Sequence, residues 1–276
     1  MDVGNLEHGD STLLEIVDLP QGVREIRMCD PAGRNALDES LRGALRRAMT
    51  AAYSDPAVRA VVLSSACRNF SVGGDVAAIG QLEPGQGSHA RMTAVGELVR
   101  LLGQGVKPLV AAVSGHCVGA GAGLALLCDT IILGRSGSIG FPFLKIGVVP
   151  DFGISYTLAR RIGPSAARQA LLYAKAFGAD DALKVGLVDE IVGDDEVRAR
   201  AQAAATQLAC MPAYALAQVR QMLRQTGSSL DACLEVEALH QSLCFGSADV
   251  KEGIDAFRSK RAAKFVAAGY SSGSAE

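Results

Sequence analysis

The 276-residue chain lacks tryptophan, and aromatic residues make up only 5% of it. Small apolar side chains must therefore fill most of the interior, which suits closely packed helices and strands. The chain also has no lysine- or arginine-rich run, and its formal net charge is −2. Nucleic acids and anionic membrane surfaces attract basic patches, so this composition predicts neither as a partner.

Metal-binding and disulfide patterns are missing as well. The seven cysteines form no C-x-x-C pair, and the four histidines have neither the spacing of metal ligands nor a Ser or Cys nucleophile beside them. We therefore predict no metal site and reduced thiols. The N-terminal stretch "MDVGNLEHGD" is polar and acidic, unlike a signal peptide, which favours a cytoplasmic location.

The longest apolar stretch, residues 108–134, is long enough to cross a bilayer. Glycine and serine interrupt it, however, and Asp129 lies near its end. These interruptions favour a buried strand–turn–helix–strand unit over a membrane span.

Short apolar runs alternate with helical patterns over the first part of the chain, which predicts an α/β fold. The spacing predicts strands at 12–18, 23–29, 59–65, 107–115, 130–134 and 186–192, with helices at 39–53, 90–103, 154–162, 164–174 and 179–185. From about residue 194 only helical patterns remain, at 194–210, 212–226, 229–245 and 247–268. We therefore predict an α/β core over residues 1–193, a helical region over 194–276 and a disordered tail, "SSGSAE".

Two stretches share one plan, in which an apolar strand leads into a glycine-rich turn and a helix start: "VVLSSACRNFSVGGDV" and "LVAAVSGHCVGAGAGLAL". The N–H groups at a helix start are free, and glycine lets a ligand approach them, so two facing donors can form an oxyanion hole. The spacing of Gly119, Gly121 and Gly123 does not match a dinucleotide-binding fingerprint, and no P-loop lysine follows. Close packing of the helix against a neighbour is an equally direct explanation of the same glycines.

With these turns, the stretches "RNALD", "NFSVGGDV", "KPLVAAVSGHCVGAGAGLALLCD", "KIGVVPDFG", "ALKVGLVDEIV" and "EGIDAFRSKR" occur in one order along nearly the whole chain. In this the sequence resembles the enoyl-CoA hydratase/isomerase (crotonase) superfamily. The resemblance implies a spiral of ββα units, a C-terminal helical region that assembles trimers or hexamers, and acyl-CoA thioester substrates with no further cofactor.

The resemblance also implies site residues. The backbone N–H groups of Gly74 and Ala120 would polarise the thioester carbonyl, while Asp75 would cap the next helix. Phe143 and Phe152 would line the acyl pocket. The residues implied to contact coenzyme A are Arg34, Ala36, Phe70, Val72, Gly73 and Val76, together with Phe257 and Lys260, which would reach the coenzyme A of a neighbouring subunit. A solvated helix end explains Phe257 and Lys260 equally well.

The sequence departs from the hydratases of the superfamily at two positions. Their two glutamates correspond to Gly123 and Phe143 here, so a simple hydratase mechanism lacks its acid and base. Asp151, in "GVVPDFG", is similar in position to the acidic residue of the phenylacetate-pathway isomerases. Its apolar neighbours should raise the pKa of the carboxyl group, which suits a group that takes and returns one proton.

We therefore predict an enoyl-CoA isomerase with Asp151 as the single base. On sequence alone, an N-cap of the helix that follows is the favoured explanation of Asp151, and it is the resemblance that favours the catalytic role. Hydration, thioester hydrolysis, dehalogenation and decarboxylation use the same kind of oxyanion hole and stay open, as does a non-catalytic acyl-CoA-binding subunit.

Overall fold

A six-stranded sheet organises the protein, seen in a computed structural model that describes residues 13–81, 83, 85–225 and 229–265. The strand order is β1-β2-β3-β4-β6-β9, and a second sheet has the order β5-β7-β8. The strands are β1 (Leu14–Leu19), β2 (Val23–Met28), β3 (Ala60–Ser65), β4 (Leu109–Val113), β5 (His116–Val118), β6 (Thr130–Gly134), β7 (Ser138–Gly140), β8 (Ala176–Gly178) and β9 (Glu190–Val192). The α/β class predicted from the sequence is confirmed.

The helices are α1 (Glu39–Ser54), α2 (Val76–Ile79), α3 (Gln86–Gln104), α4 (Ala120–Leu126), α5 (Ile154–Ile162), α6 (Pro164–Leu172), α7 (Ala179–Lys184), α8 (Val197–Ala209), α9 (Ala213–Gln225), α10 (Leu230–Phe245) and α11 (Ala248–Arg258). Asp38 caps α1 as predicted, since its carboxylate accepts the Leu41 N–H at 2.8 Å. The predicted C-terminal helix is shorter than expected: α11 ends at Arg258, residues 259–265 are not helical, and 266–268 lie outside the described residues.

The large sheet is parallel except for its first hairpin. β1 and β2 pair antiparallel, whereas β2, β3, β4, β6 and β9 pair parallel. The runs "AVVLSS" and "LVAAV" of β3 and β4 are buried almost throughout, because helices cover both faces of a parallel sheet. The glycine-rich turns that follow these two strands therefore meet at the same edge of the sheet.

Two hydrophobic cores lie on opposite faces of the large sheet. One contains apolar residues of α1, α3, α4, α5 and α6, and the other is formed mainly by the alanines of α8. Helix α8 lies beyond the predicted boundary at residue 193, yet it closes one face of the sheet.

A fully buried glutamate fastens α8 to this face. The Glu25 carboxylate, on β2, accepts hydrogen bonds from Ser64 Oγ at 2.5 Å, Arg198 Nε at 2.8 Å and Gln202 Nε2 at 2.7 Å. A buried carboxylate is tolerated only when such donors replace its hydration. Glu25 is therefore structural, because it lies far along the chain from the glycine turns and all of these partners belong to the sheet or to α8.

The helical region after α8 carries apolar side chains that its own helices leave uncovered. The exposed apolar residues of α10 and α11 are Leu230, Leu234, Leu239, Leu243, Phe245, Ile254 and Phe257. Uncovered apolar surface of this extent is typical of a protein contact, so it supports the predicted homo-oligomer, which stays a prediction. Within the described residues, no helix combines the length and the apolar character that crossing a membrane requires.

Candidate active site

Three loop segments lie side by side at the carboxyl edge of the large sheet. Ala36 forms a bridge with Gly73, and Ser71 forms a bridge with Cys117. Leu37 N–H donates to Gly73 O at 2.7 Å and joins the segments of Ala36 and Gly73. Val118 N–H donates to Ser71 O at 3.0 Å and joins the segments of Cys117 and Ser71. The turn that contains Gly74 is therefore fixed directly beside the turn that contains Ala120.

Glycine is required where these two turns touch. Gly73 has a positive φ of 95°, and a Cβ there would lie 2.7 Å from Val118 O and 3.4 Å from Ala120 N. Gly119 also has a positive φ, of 56°, and a Cβ on it would lie 3.9 Å from Gly73 Cα. Both conformations disfavour side chains, so the glycines bring the two backbones into contact.

This contact brings two turns with free backbone donors side by side, although they are far apart in the sequence. Ala120 is the first residue of α4, where helical N–H groups have no partner within the helix. Neither Gly74 N–H nor Ala120 N–H donates a hydrogen bond within the described part of the chain. The predicted oxyanion-hole donors are thus free to bind an acceptor.

A buried asparagine and a serine support the Gly73–Gly74 turn. Asn35 is fully buried with a positive φ of 45°, and its Nδ2 donates to Ser65 Oγ at 2.7 Å and Phe70 O at 3.0 Å. Ser71 Oγ donates to Asn35 O at 2.7 Å and accepts Gly73 N–H at 3.2 Å. Sequence reasoning missed both residues, although Asn35 stands within the quoted stretch "RNALD".

Asp151 has a buried carboxylate oxygen, Oδ1, with no hydrogen-bond partner. Burial raises the pKa of this carboxyl group, while its own backbone N–H and the positive charges of Arg91 and Arg42 oppose the rise. An unsatisfied buried carboxylate is costly to keep and is typical of a functional group. Arg42 and Arg91 were not predicted as part of the site.

The N-cap interpretation of Asp151 is wrong. Gly153 is the N-cap of α5 and no side chain caps that helix, whereas Asp151 uses only its carbonyl oxygen to accept Ile154 N–H at 3.0 Å. Phe152 and Gly153 both have positive φ, 51° and 72°, and such a conformation is strained for a bulky residue. The strained turn therefore separates Asp151 from the first residue of α5, and its carboxylate makes no cap to that helix.

Phe152 occupies the space beside Gly123 on α4. A Cβ on Gly123 would lie 2.4 Å from Phe152 Cβ and 3.1 Å from Ile154 Cγ1. Phe152 is 2% exposed and Phe143 is 8% exposed, and the Phe143 ring approaches the Gly119 turn. The chain therefore has no room for a side chain at 123, and apolar rings line the region instead.

We expect Gly123→Ala to lower the free energy of unfolding by about 1–3 kcal/mol, because an added methyl group would overpack the α4–α5 contact. Chemical denaturation of the purified protein measures this change. The matched control is Gly96→Ala in the middle of α3, where a Cβ meets only the flexible Arg100 guanidinium at 3.4 Å. That variant should be neutral or up to about 1 kcal/mol more stable, and equal stability of the two variants would contradict the contact with Phe152.

The other predicted residues fall into separate groups. Arg34 and Val76 are exposed beside the glycine turns, Val72 is partly buried, and Ala36 is bound to Gly73. Asp75 caps α2 as predicted, accepting Ala77 N–H at 3.0 Å. Among the described residues, no group of three or more potential metal ligands is arranged to hold an ion.

Phe70, Phe257 and Lys260 do not join the site within this chain. Phe70 is completely buried in the hydrophobic core, and its place beside the coenzyme A path stays a prediction. Phe257 and Lys260 are exposed at the end of the C-terminal helical region, which leaves their predicted contact with a neighbouring subunit a prediction.

Two clefts of the described surface lie away from the paired N–H groups. One, of about 370 Å³, lies between the end of α1 and the start of α9. The other, of about 1130 Å³, lies among α3, α5 and α9 and includes Gly153. Neither is lined by Gly74, Ala120 or Asp151, so the candidate site is identified by its donors and its carboxylate rather than by the size of a cavity.

Comparisons with known proteins agree with this arrangement. The chain is 31% identical over 239 residues to the crotonyl-CoA hydratase of Syntrophomonas wolfei, covering 86% of this chain and 91% of the relative. It is 30% identical over 250 residues to the 1,2-epoxyphenylacetyl-CoA isomerase of Escherichia coli, covering 89% and 95%. The crystal structure of an enoyl-CoA hydratase from Polaromonas sp. JS666 superimposes with a TM-score of 0.86 at 25% identity, covering 92% of this chain and 99% of that one.

These relatives are named for different reactions, so they do not by themselves decide the chemistry of this chain. The family model described as enoyl-CoA hydratase/isomerase matches residues 18–268, which is nearly the whole sequence. The predicted superfamily and its fold are confirmed: the chain belongs to the enoyl-CoA hydratase/isomerase family of acyl-CoA enzymes.

Proposed function

We propose that this protein isomerises the double bond of an enoyl-CoA ester, with Asp151 as the only proton carrier. The observation that carries the proposal is the buried, unpartnered Asp151 oxygen, whose pKa is raised by burial. A base that must also act as an acid works best when its pKa lies closer to the operating pH than that of an ordinary carboxylate.

The reaction begins with an ionised Asp151 and a 3-enoyl-CoA. Asp151 removes a proton from C2, and the C2–H electron pair forms a dienolate whose negative charge reaches the thioester oxygen. Gly74 N–H and Ala120 N–H donate to that oxygen and stabilise it. Asp151 then delivers the same proton to C4, which produces the conjugated 2-enoyl-CoA and restores the carboxylate.

The surroundings of Asp151 support a shuttle over water addition. Water addition across a double bond needs one group to activate water and another to protonate carbon. By the family resemblance, Gly123 and Phe143 stand where hydratases have their two glutamates, and Phe152 fills the space beside Gly123. Burial of the Asp151 Oδ1 atom limits its contact with water, which favours return of the proton to the substrate.

The proposal extends to binding and assembly. Arg34, Ala36, Val72, Gly73 and Val76 border the turns along which the coenzyme A ester would lie. In a homotrimer or hexamer, Phe257 and Lys260 would reach the ester bound by a neighbouring subunit. The thioester itself is the substrate, so the reaction needs no further cofactor. A cytoplasmic location would place the protein where such esters occur.

Hydration is the second candidate, and the relative named crotonyl-CoA hydratase favours it. Thioester hydrolysis, dehalogenation, decarboxylation and non-catalytic binding of acyl-CoA remain further alternatives. In the alternative reactions water, halide or carbon dioxide enters or leaves, whereas isomerisation conserves every atom of the substrate. A non-catalytic binding protein would leave the ester unchanged.

A panel of 3-enoyl-, 2-enoyl- and aryl-CoA esters separates these reactions. We expect conversion of 3-enoyl-CoA to 2-enoyl-CoA of equal mass, and little addition of water to 2-enoyl-CoA. Substrate deuterated at C2 should retain much of its label at C4, because one shielded carboxyl group carries it. Hydration as the dominant reaction, or cleavage of the ester, would contradict the proposal; mass spectrometry of the products distinguishes all of these outcomes.

A further inference from the structure

Arg42 is a buried cation whose hydrogen bond reaches the segment beside the Gly73–Gly74 turn. It is on α1, 7% exposed, and within the described residues no carboxylate lies within ion-pair distance of it. A buried guanidinium without a carboxylate partner is unusual, since removing its hydration is costly. The proposed reaction as described so far gives Arg42 no part.

The first contact of Arg42 leads to the oxyanion hole. Arg42 Nη1 donates to Leu37 O at 2.6 Å, and the N–H of the same residue, Leu37, donates to Gly73 O at 2.7 Å. Leu37 therefore connects α1 to the turn whose next residue, Gly74, supplies one of the two N–H donors. The start of α1 is itself held by the Asp38 cap, so the connection has a rigid support.

The second relation of Arg42 is to the carboxylate. Arg42 and Arg91 both favour the ionised form of Asp151 against the effect of burial, and Asp151 in turn favours the charged form of Arg42. Arg91 is on α3, which packs against α1, and it makes no hydrogen bond or ion pair within the described residues. A base must be ionised before it can take a proton, so these cations serve the resting state of the enzyme.

Other charges near Asp151 are few or point elsewhere. Helix α4, packed against the start of α5, carries no titratable side chain. The other charged or titratable groups on the neighbouring elements are Asp38 at the cap of α1, Glu39, Arg46 and Arg47 on α1, His89, Glu97 and Arg100 on α3, Lys145 exposed in the turn at Phe143–Ile146, and Arg160 and Arg161 at the far end of α5. None of these lowers the pKa of Asp151.

We propose that Arg42 is a positioning residue that holds the Gly73–Gly74 turn through Leu37 and, together with Arg91, keeps a permanent positive charge beside Asp151. This inference rests on the proposed function. It assigns Arg42 two separable roles, a tether and a charge, whereas Arg91 has the charge alone.

The test compares pH profiles of kcat and kcat/KM for 3-enoyl-CoA isomerisation in Arg42→Met, Arg42→Lys and Arg91→Met. Loss of either charge should move the acidic limb of kcat/KM upward by roughly 0.5–1 pH unit, since a missing cation raises the pKa of the carboxyl group. Arg42→Met should also lower the plateau at high pH about tenfold, and Arg91→Met should leave the plateau unchanged. Arg42→Lys retains the charge and should return the acidic limb to its wild-type position.

Matched controls are Arg46→Met, one helical turn after Arg42 and exposed, and Arg100→Met, exposed on α3. Both should leave the profile unchanged. If Arg42→Met does not fold, Arg91→Met still tests the effect of a positive charge on Asp151. Arg42→Lys then tests the tether, which is the hydrogen bond of Arg42 to Leu37 O. An acidic limb that stays in place in both Arg91→Met and Arg42→Met overturns the inference. Asp151→Asn in the same assay tests the proposed function separately. If that variant loses activity, the proposed function stands even when the inference about Arg42 fails; if it keeps full activity, the proposed function itself fails.

Discussion

Asp151→Asn should lower kcat for 3-enoyl-CoA isomerisation by about 10³–10⁴-fold. A positioned general base or acid contributes about 10²–10⁴-fold to a rate, and here one carboxylate performs both proton transfers. Asparagine has nearly the same shape and can fill the same buried space, but it cannot take the C2 proton. Steady-state kinetics with a 3-enoyl-CoA, followed by formation of the conjugated thioester, measure the loss.

Binding of the ester should survive this substitution, because the Gly74 and Ala120 donors do not depend on the carboxylate. Calorimetric titration with a non-reactive acyl-CoA should show a dissociation constant within a few-fold of the wild-type value. The matched control is Asp75→Asn, next to Gly74 in sequence, because asparagine caps helices as well as aspartate does. Full activity of Asp151→Asn, or an equal loss in Asp75→Asn, would contradict the assignment of Asp151 as the base.

The same substitution should increase stability near neutral pH. The raised pKa of Asp151 means that the folded protein binds this proton more tightly than the unfolded chain does. The ionised carboxylate therefore destabilises the fold increasingly as pH rises from the ordinary aspartate pKa to the raised one, and fully above it. The melting temperature of Asp151→Asn should thus exceed that of the wild type at neutral pH and approach it in acid. A gain in stability on substitution is expected of a residue that is retained for function at the expense of stability.

The sequence predicts the large sheet and most helices because their patterns are local. The apolar runs of β3 and β4, the cap at Asp38 and the helix at 154–162 all carry their signal within a few residues. The second sheet was not predicted, since β5, β7 and β8 are three residues each and are defined by pairing across distant segments. Residues 86–89 were likewise interpreted as loop, although α3 begins at Gln86.

The candidate site divides in the same way. Gly73, Gly74 and Ala120 are predicted from the glycine-rich turns and from the family resemblance, because Gly73 and Gly119, the glycines with positive φ in those turns, are visible in the sequence. Asn35 and Arg42 act through hydrogen bonds whose geometry only the fold establishes, so no spacing indicates them. For Asp151, the helix-start pattern suggested an N-cap. Only the structure shows the left-handed turn at Phe152, which separates the Asp151 side chain from the start of the helix.

Gly73→Ala should lower kcat by about 10²–10³-fold while the protein still folds. The added Cβ would lie 2.7 Å from Val118 O, so the two turns must separate, and the Gly74 and Ala120 N–H groups would no longer meet one oxygen. Loss of one oxyanion-hole donor costs this factor in well-studied enzymes. Steady-state kinetics on 3-enoyl-CoA provide the measurement, and circular dichroism establishes that the fold persists.

Backbone strain alone must be separated from this loss of geometry. Gly186 also has positive φ, of 77°, and a Cβ there would meet only Arg161 O at 3.8 Å, remote from the glycine turns. Gly186→Ala should therefore lower stability by about 1 kcal/mol, as an unfavourable φ does, and leave kcat unchanged. Wild-type kcat in Gly73→Ala would contradict the role of the paired N–H groups, because the reaction would then proceed without the geometry that only glycine permits at 73. A loss of activity in proportion to stability in both variants would contradict it as well, because backbone strain alone would then explain the loss.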